Sequence, residues 1–256
     1  SEIVIGLTIV AAGTSAPELF VSLVSALKGT PDLAVGNVVG SNIMNALLIV
    51  GCAAMVAPMV ISRSTVHKDI PFAVIASVLL VLACVDGQLS WTITGHTIGR
   101  LDGVMLLVGY VLFMYYTLKH AKADDSETAQ VKAQPVWLSI IYVVVGLAAL
   151  VFGSDWFVGA ASRIATSLGV GESVIGLTIV AGGTSLPELA TSVVAARKGR
   201  SAMAIGNVIG SNVFNVLMIL GVTALICPMQ INGITMIDLL MTLVSVALVW
   251  FFARTR

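Results

Sequence analysis

An acidic hexapeptide set inside an apolar run restricts this chain more than any other feature, because it is written twice. Gly13-Thr14-Ser15-Ala16-Pro17-Glu18 returns as Gly183-Thr184-Ser185-Leu186-Pro187-Glu188, 170 positions later. The repetition extends far beyond it. Val4–Met59 aligns without gaps to Val174–Met229, and about 32 of those 56 pairs are identical. Gly36-Asn37-Val38-Val39-Gly40-Ser41-Asn42-Ile43-Met44-Asn45 reappears as Gly206-Asn207-Val208-Ile209-Gly210-Ser211-Asn212-Val213-Phe214-Asn215. Two apolar helices that match only by composition do not reach such identity, so the chain carries an internal duplication.

A carboxylate inside an apolar run poses different problems in water and in lipid, and composition decides between them. The chain is 58% hydrophobic and 10% charged, with a mean hydropathy of +1.04. Soluble domains carry about 25% charged residues, so an all-α polytopic membrane protein is expected. The formal net charge of zero gives no reason to expect nucleic acid. Cys52, Cys84 and Cys227 lie in or beside apolar segments, without metal-ligand spacing, and read as small core residues. No cleavable signal peptide is visible.

A membrane span needs about 20 mainly apolar residues. Eight stretches qualify, at 2–28, 31–58, 69–86, 101–119, 136–165, 172–197, 201–227 and 233–253. Residues 120–135 form the polar linker between the fourth and fifth, with Asp124, Asp125, Glu127 and Lys132. Loops alternate sides. Arg63, Lys68, Lys119, Lys122, Lys132, Arg197, Lys198, Arg200, Arg254 and Arg256 fall on one side, against Lys28, Arg100 and Arg163 on the other. That bias places the linker in the cytoplasm. Five crossings separate the repeats, so they enter from opposite sides as an inverted repeat, the arrangement of many transporters with a shared midplane site. The expected halves are 1–119, with its repeat at 3–59, and 136–256, with its repeat at 173–229. The segment from Val136 to about Leu168 has no counterpart before the first repeat, and the fourth span has none after Arg256. Symmetry therefore predicts a missing span at each end, so that this chain would hold eight of ten.

A carboxylate at the middle of a bilayer costs about 2.5–3.5 kcal/mol on insertion scales, so it needs a partner or a task. For Glu18 and Glu188 the structural alternative is a buried salt bridge, yet no Lys, Arg or His lies at membrane depth to form one. Pro17 and Pro187 remove a backbone donor and disturb the turns that contain Thr14 and Thr184. Non-helical backbone at that depth is tolerated where it lines a cavity or is buried in protein. Carbonyls, hydroxyls and carboxylates are hard oxygen ligands, suited to Ca2+ and to Na+. Ser41 and Asn45 share a helix face, as do Ser211 and Asn215, and they add further oxygen. Glycines at Gly36, Gly40, Gly206 and Gly210 recur at a spacing that lets helices approach closely. Two carboxylates would balance one Ca2+ or two Na+ ions.

Other polar residues read as structural. Ser22 and Ser192 are expected to bond back to their own helices. Asn37 and Asn207 could cap a helix start or ligate, and the sequence leaves both open. Asp155 reads as a residue at a wet level of its span, and Glu2 and Glu172 as solvated at span ends.

At these residues the sequence resembles the calcium/cation antiporter superfamily, and within it the sodium/calcium exchangers of prokaryotic type. The two GTS-x-PE and the two GN-x-x-GSN-x-x-N segments are similar to that family's paired alpha repeats, and the match covers about 110 residues. The resemblance implies a ten-span inverted-repeat transporter fold in which long tilted spans, here 136–165, slide across a rigid core. It implies Ca2+ held at the centre by Glu18, Glu188 and backbone oxygens of Thr14 and Thr184. It further implies Na+ in that site and in adjoining ones completed by Ser15, Ser185, Ser41, Ser211 and the carbonyls of Ala11 and Ala181. Many relatives have an aspartate where this chain has Asn215, matching Asn45. Two asparagines leave the site at minus two rather than minus three, which argues against K+ co-transport.

The expected function is therefore secondary active antiport of Ca2+ against Na+ by alternating access, in a prokaryotic plasma membrane, without an enzyme activity, a resident cofactor or a required oligomer. Ca2+/H+ exchange is the alternative. An intramembrane hydrolase built on Ser15 or Ser185 lacks a base, since His67, His96 and His120 fall in or near loops, and the inverted repeat speaks against a passive channel.

Overall fold

The computed structural model describes residues 2–85, 96–120, 135–169, 179 and 181–255. The first repeat opens with Glu2–Thr14 (α1) and Ala16–Leu27 (α2), bent by 44° at Ser15, and continues with Pro31–Val56 (α3) and Thr65–Val85 (α4). A short strand, His96–Ile98 (β1), precedes Arg100–His120 (α5), and Val136–Ser167 (α6) follows. The second repeat is described from Ala181–Thr184 (α7) and Leu186–Arg197 (α8) through Ser201–Ile226 (α9), Met229–Ile231 (β2) and Met236–Arg254 (α10).

The element ends follow local chemistry. Gly29 and Gly199 take φ of 78° and 74° after α2 and α8, a conformation that disfavours any residue with a Cβ. The chain then closes back through Thr30 N–H to Ser25 O and Arg200 N–H to Ala195 O, both 2.9 Å. A capping box opens α10: Asp238 N–H donates to Thr235 Oγ1 at 3.3 Å, and Thr235 N–H donates to Asp238 Oδ2 at 2.9 Å.

Packing is organised around α9. In its most apolar window 78% of residues are buried, against 0% in that of α6, which therefore lies at the periphery with Phe152 and Trp156 exposed. Backbone meets backbone where α9 crosses α1. A Cβ on Gly206 would sit 2.7 Å from Ile3 O, and one on Gly210 would sit 2.6 Å from Leu7 O. Only glycine permits that approach. Repeat-equivalent pairs recur elsewhere: α2 packs on α3 as α8 packs on α9.

One expectation needs correction. The chain is helical but not all-α, because β1 and β2 pair antiparallel, His96 with Ile231 and Ile98 with Met229. Their alternation buries Ile98, Met229 and Ile231 while Thr97 and Gln230 face outward, a signal too short to register beside long apolar runs. The count of eight spans is not confirmed. Six described helices are long and apolar enough to cross a membrane, and the bent α1–α2 pair would make a seventh. The expected segment at 172–197 falls partly outside the described residues, and its described part is split between α7 and α8. Most of the 120–135 linker also lies outside them.

The contact between α1 and α9 makes a paired prediction. Gly210→Leu should lower the detergent-solubilised melting temperature, through an overpacking cost of about 1–3 kcal/mol. Gly51→Ala, where nothing lies within 4 Å of the added Cβ, should hold or raise it, since alanine in a helix gains up to about 1 kcal/mol over glycine. Equal melting curves for the two variants would refute this packing.

Candidate functional site

The site forms where α1 meets α2 and α7 meets α8. Pro17 and Pro187 stand in the first turn of α2 and of α8, each without the N–H that would bond four residues back. The joints themselves are Ser15, at φ −85° and ψ 8°, and Ser185, at φ −84° and ψ 3°. Such matched angles show that the duplicated sequence folds to the same break twice. Across the first joint the ladder runs from Ser15 N–H to Ala11 O at 3.0 Å and from Leu19 N–H to Ser15 O at 3.2 Å. Each break also starts a new helix, whose N-terminus carries partial positive charge. Glu18 and Glu188 lie in those first turns.

Both acids are fully buried, and each is held by the other repeat. Ser15 Oγ donates to Glu188 Oε1 at 2.7 Å, and Ser185 Oγ donates to Glu18 Oε1 at 3.3 Å. The two bonds join matching residues of the two repeats in reciprocal fashion. Their second oxygens, Glu18 Oε2 and Glu188 Oε2, are buried with no hydrogen-bond partner among the described residues. A described ion pair exists elsewhere, between Arg200 and Glu2 at 3.6 Å, partly exposed at the end of α1. Glu2, expected to be merely solvated, has that partner; Glu18 and Glu188 are bonded to serines instead.

The other anticipated residues lie on α1, α3, α7 and α9, which carry these joints or pack against the acid-bearing helices. Thr14 Oγ1 donates to Asn207 Oδ1 at 3.3 Å and to Val10 O at 3.1 Å, and Thr184 Oγ1 donates to Asn37 Oδ1 at 3.2 Å. With the hydroxyl protons engaged, the backbone carbonyls are the oxygens those threonines would offer a cation. Ala11 is buried on α1, and Ala181 begins α7. Ser41 and Ser211 have buried hydroxyls without described partners, as do both amide atoms of Asn45 and Oδ1 of Asn215. Asn45 and Asn215 sit in widened, i to i+5 helical turns at Asn45–Ile49 and Phe214–Leu220, a feature frequent at functional sites. Buried polar atoms are ordinarily paired. Carboxylate, hydroxyl and amide oxygens of this kind are the donors that hard cations take.

Ser22 departs from expectation, and the two asparagines left open between capping and ligation lie inside helices. Asn37 and Asn207 do not cap anything, because they lie inside α3 and α9. Asn37 Nδ2 donates to Glu18 O at 3.3 Å and to Ser22 Oγ at 3.0 Å. Asn207 Nδ2 donates to Thr191 Oγ1 at 2.9 Å, Ser192 Oγ at 2.8 Å and Glu188 O at 3.4 Å. Ser22 does not bond back to its own helix but donates to Ala34 O on α3 at 3.2 Å, and Ser192 receives Asn207. These side chains fasten the acid-bearing helices to their neighbours. The repeat of both asparagines at matching positions was the available signal. Asp155 is exposed on α6, and Glu172 lies outside the described residues.

A profile of the sodium/calcium exchanger protein family matches residues 1–119 and 138–255. CaxA of Alkalimonas amylolytica is 42% identical over 241 residues, covering 91% of this chain and 73% of CaxA. The sodium/calcium exchanger MaX1 of Methanosarcina acetivorans is 32% identical over 281 residues, covering 97% of this chain and 80% of MaX1. Among solved structures, the sodium-calcium exchanger NCX_Mj is similar with a TM-score of 0.80 at 31% identity, covering 100% of this chain and 80% of that one.

Removing an asparagine from this network strands buried partners, at about 1–3 kcal/mol each. Asn207→Ala should therefore lower the melting temperature in ion-free detergent solution, and Asn37→Ala should do so as well. Unchanged melting in both would show that the network is not fastening these helices.

Proposed function

The chain belongs to the sodium/calcium exchanger protein family, and from that premise we propose that it exchanges Ca2+ for Na+ by alternating access around Glu18 and Glu188. It is a cation antiporter of that family, a transporter and not an enzyme, and the family moves Na+ and Ca2+ without a cofactor. One observation carries the finer reading: two fully buried carboxylates, each bonded through one oxygen to the other repeat's serine, keep the second oxygen free of any described partner.

In this reading Glu18 and Glu188 bind the Ca2+ directly, helped by backbone oxygens of Thr14 and Thr184. Na+ replaces it there and in flanking positions formed by Ser15, Ser185, Ser41, Ser211, Asn45, Asn215 and the carbonyls of Ala11 and Ala181. The two carboxylates give a charge of minus two, which one Ca2+ or two Na+ would neutralise, so the ions exclude one another. Without them the buried acids face each other uncompensated, which disfavours rearrangement of the empty carrier and couples the two fluxes. The reading also takes residues 1–119 and 136–256 as oppositely inserted halves, with the 120–135 linker on the cytoplasmic side, supported by the distribution of Lys and Arg.

The second reading replaces Na+ by H+. It draws on the same charge count, since two protons neutralise the pair as two Na+ ions do, and on asparagine at both Asn45 and Asn215.

In reconstituted vesicles, an imposed Na+ gradient should drive uptake of radiolabelled Ca2+ and a pH gradient should not. Glu188→Gln and Glu18→Gln should each reduce that uptake at least about a hundredfold, in keeping with the several kcal/mol that a buried charged ligand contributes. Wild-type uptake by Glu188→Gln would remove the acid from the mechanism, and uptake driven only by the pH gradient would assign the counter-ion to H+.

A further inference from the structure

We propose that Asn42 is a positioning residue that orients the amide of Asn215 toward the transported ions, and that its repeat mate Asn212 does not serve Asn45 in the same way. The proposal rests on the reading of Asn215 as an ion ligand.

Asn42 and Asn212 lie on α3 and α9, essentially without exposure. They clasp one another between the two repeats. Asn42 Nδ2 donates to Asn212 O at 3.2 Å, and Asn212 Nδ2 donates to Asn42 O at 3.4 Å. This part is symmetric and braces the two repeats. Asn42 does one thing more: its Oδ1 accepts Asn215 Nδ2 at 3.1 Å. An amide is planar, so engaging Nδ2 fixes which way Oδ1 points. Asn215 Oδ1 is buried and has no described partner, which leaves it as the atom a cation would use.

The mirror bond would run from Asn45 Nδ2 to Asn212 Oδ1. Both atoms are buried, and neither has a described partner, nor does Asn45 Oδ1. The terminal torsion of asparagine is soft and roughly two-fold. Nothing described therefore decides whether Asn45 presents its oxygen or its amino group to a cation. Asn215 arrives with its oxygen preset, so a cation there need not first turn the amide against a repelling NH2. Because Asn42 carries a brace and an orienting bond while Asn212 carries the brace alone, Asn212→Ala is a built-in control for loss of the brace.

The test measures three quantities on each variant: melting temperature without ions, the Ca2+ concentration that half-saturates the ion-induced rise in melting temperature, and the KM and maximal rate of Na+-driven Ca2+ uptake. Asn42→Ala should raise the half-saturating Ca2+ concentration and the KM about tenfold, the equivalent of one lost hydrogen bond, with the maximal rate within about threefold of wild type. Asn212→Ala should lower the ion-free melting temperature comparably and leave the half-saturating concentration within about threefold. Asn42→Ser retains a hydroxyl in the buried space but is too short to reach Asn215 Nδ2, and it should behave as Asn42→Ala does if the alanine variant is not recovered folded. Asn215→Ala separates the two layers of the reasoning. If it leaves Ca2+ affinity unchanged, the ligand reading fails and the positioning proposal falls with it. If it weakens affinity while Asn42→Ala matches Asn212→Ala in every measurement, Asn42 is a brace only and the proposal alone is overturned.

Discussion

The site in this fold depends on two carboxylates that are buried without a basic partner among the described residues. Burying charge is expensive unless it is paired, and here each acid is met by a hydroxyl from the opposite repeat, Ser15 on Glu188 and Ser185 on Glu18. The serine that each acid needs stands at the break in the other half, three residues before that half's own acid. The same six residues thus supply the charge, the break that exposes backbone to it and the hydroxyl that reaches across.

A break inside a span weakens it, and the structure offsets this with a second layer of amides. Asn37 and Asn207 reach from α3 and α9 to the acid-bearing helices, each donating to the main-chain carbonyl of a glutamate and accepting from the threonine of the opposite repeat. Close backbone contact at Gly206 and Gly210 holds α1 against α9 at the same level. Pairing donors and acceptors this densely leaves the interior rigid where it is complete. The orphaned atoms of Glu18, Glu188, Ser41, Ser211, Asn45 and Asn215 mark where it is left incomplete.

How much of this could be read from residue order depends on what each feature requires. The acids were legible because a carboxylate in an apolar run violates its surroundings whatever the fold, and the duplication was legible because identity needs no coordinates. Asn37, Asn207, Ser22 and Ser192 were not. A serine bonded to its own helix and one bonded to the next have the same sequence, and only the neighbouring helix, brought in by packing, decides between them. Strands β1 and β2 escaped for a related reason, because three residues form a strand only when a partner from the other repeat lies alongside. The 44° bend at Ser15, by contrast, falls beside Pro17, where residue order alone anticipates a disturbed turn.

The two repeats are alike in sequence and unequal in bonding, and that inequality bears on transport. Ser15 lies 2.7 Å from its acid while Ser185 lies 3.3 Å from its own, and Asn215 has an orienting bond that Asn45 lacks. A carrier that alternates between two access states needs them close in free energy, because a gap of several kcal/mol would leave one of them almost unpopulated. In a chain built from independent parts, that balance would require unrelated interactions to cancel. In a duplicated chain, a bond lost in one repeat would have a chemically identical counterpart to form in the other, so exchanging the roles of the repeats would alter which atoms are paired more than how many. On the proposed mechanism, duplication would supply, through identical residues at 170-residue offset, the near-degeneracy that alternating access requires.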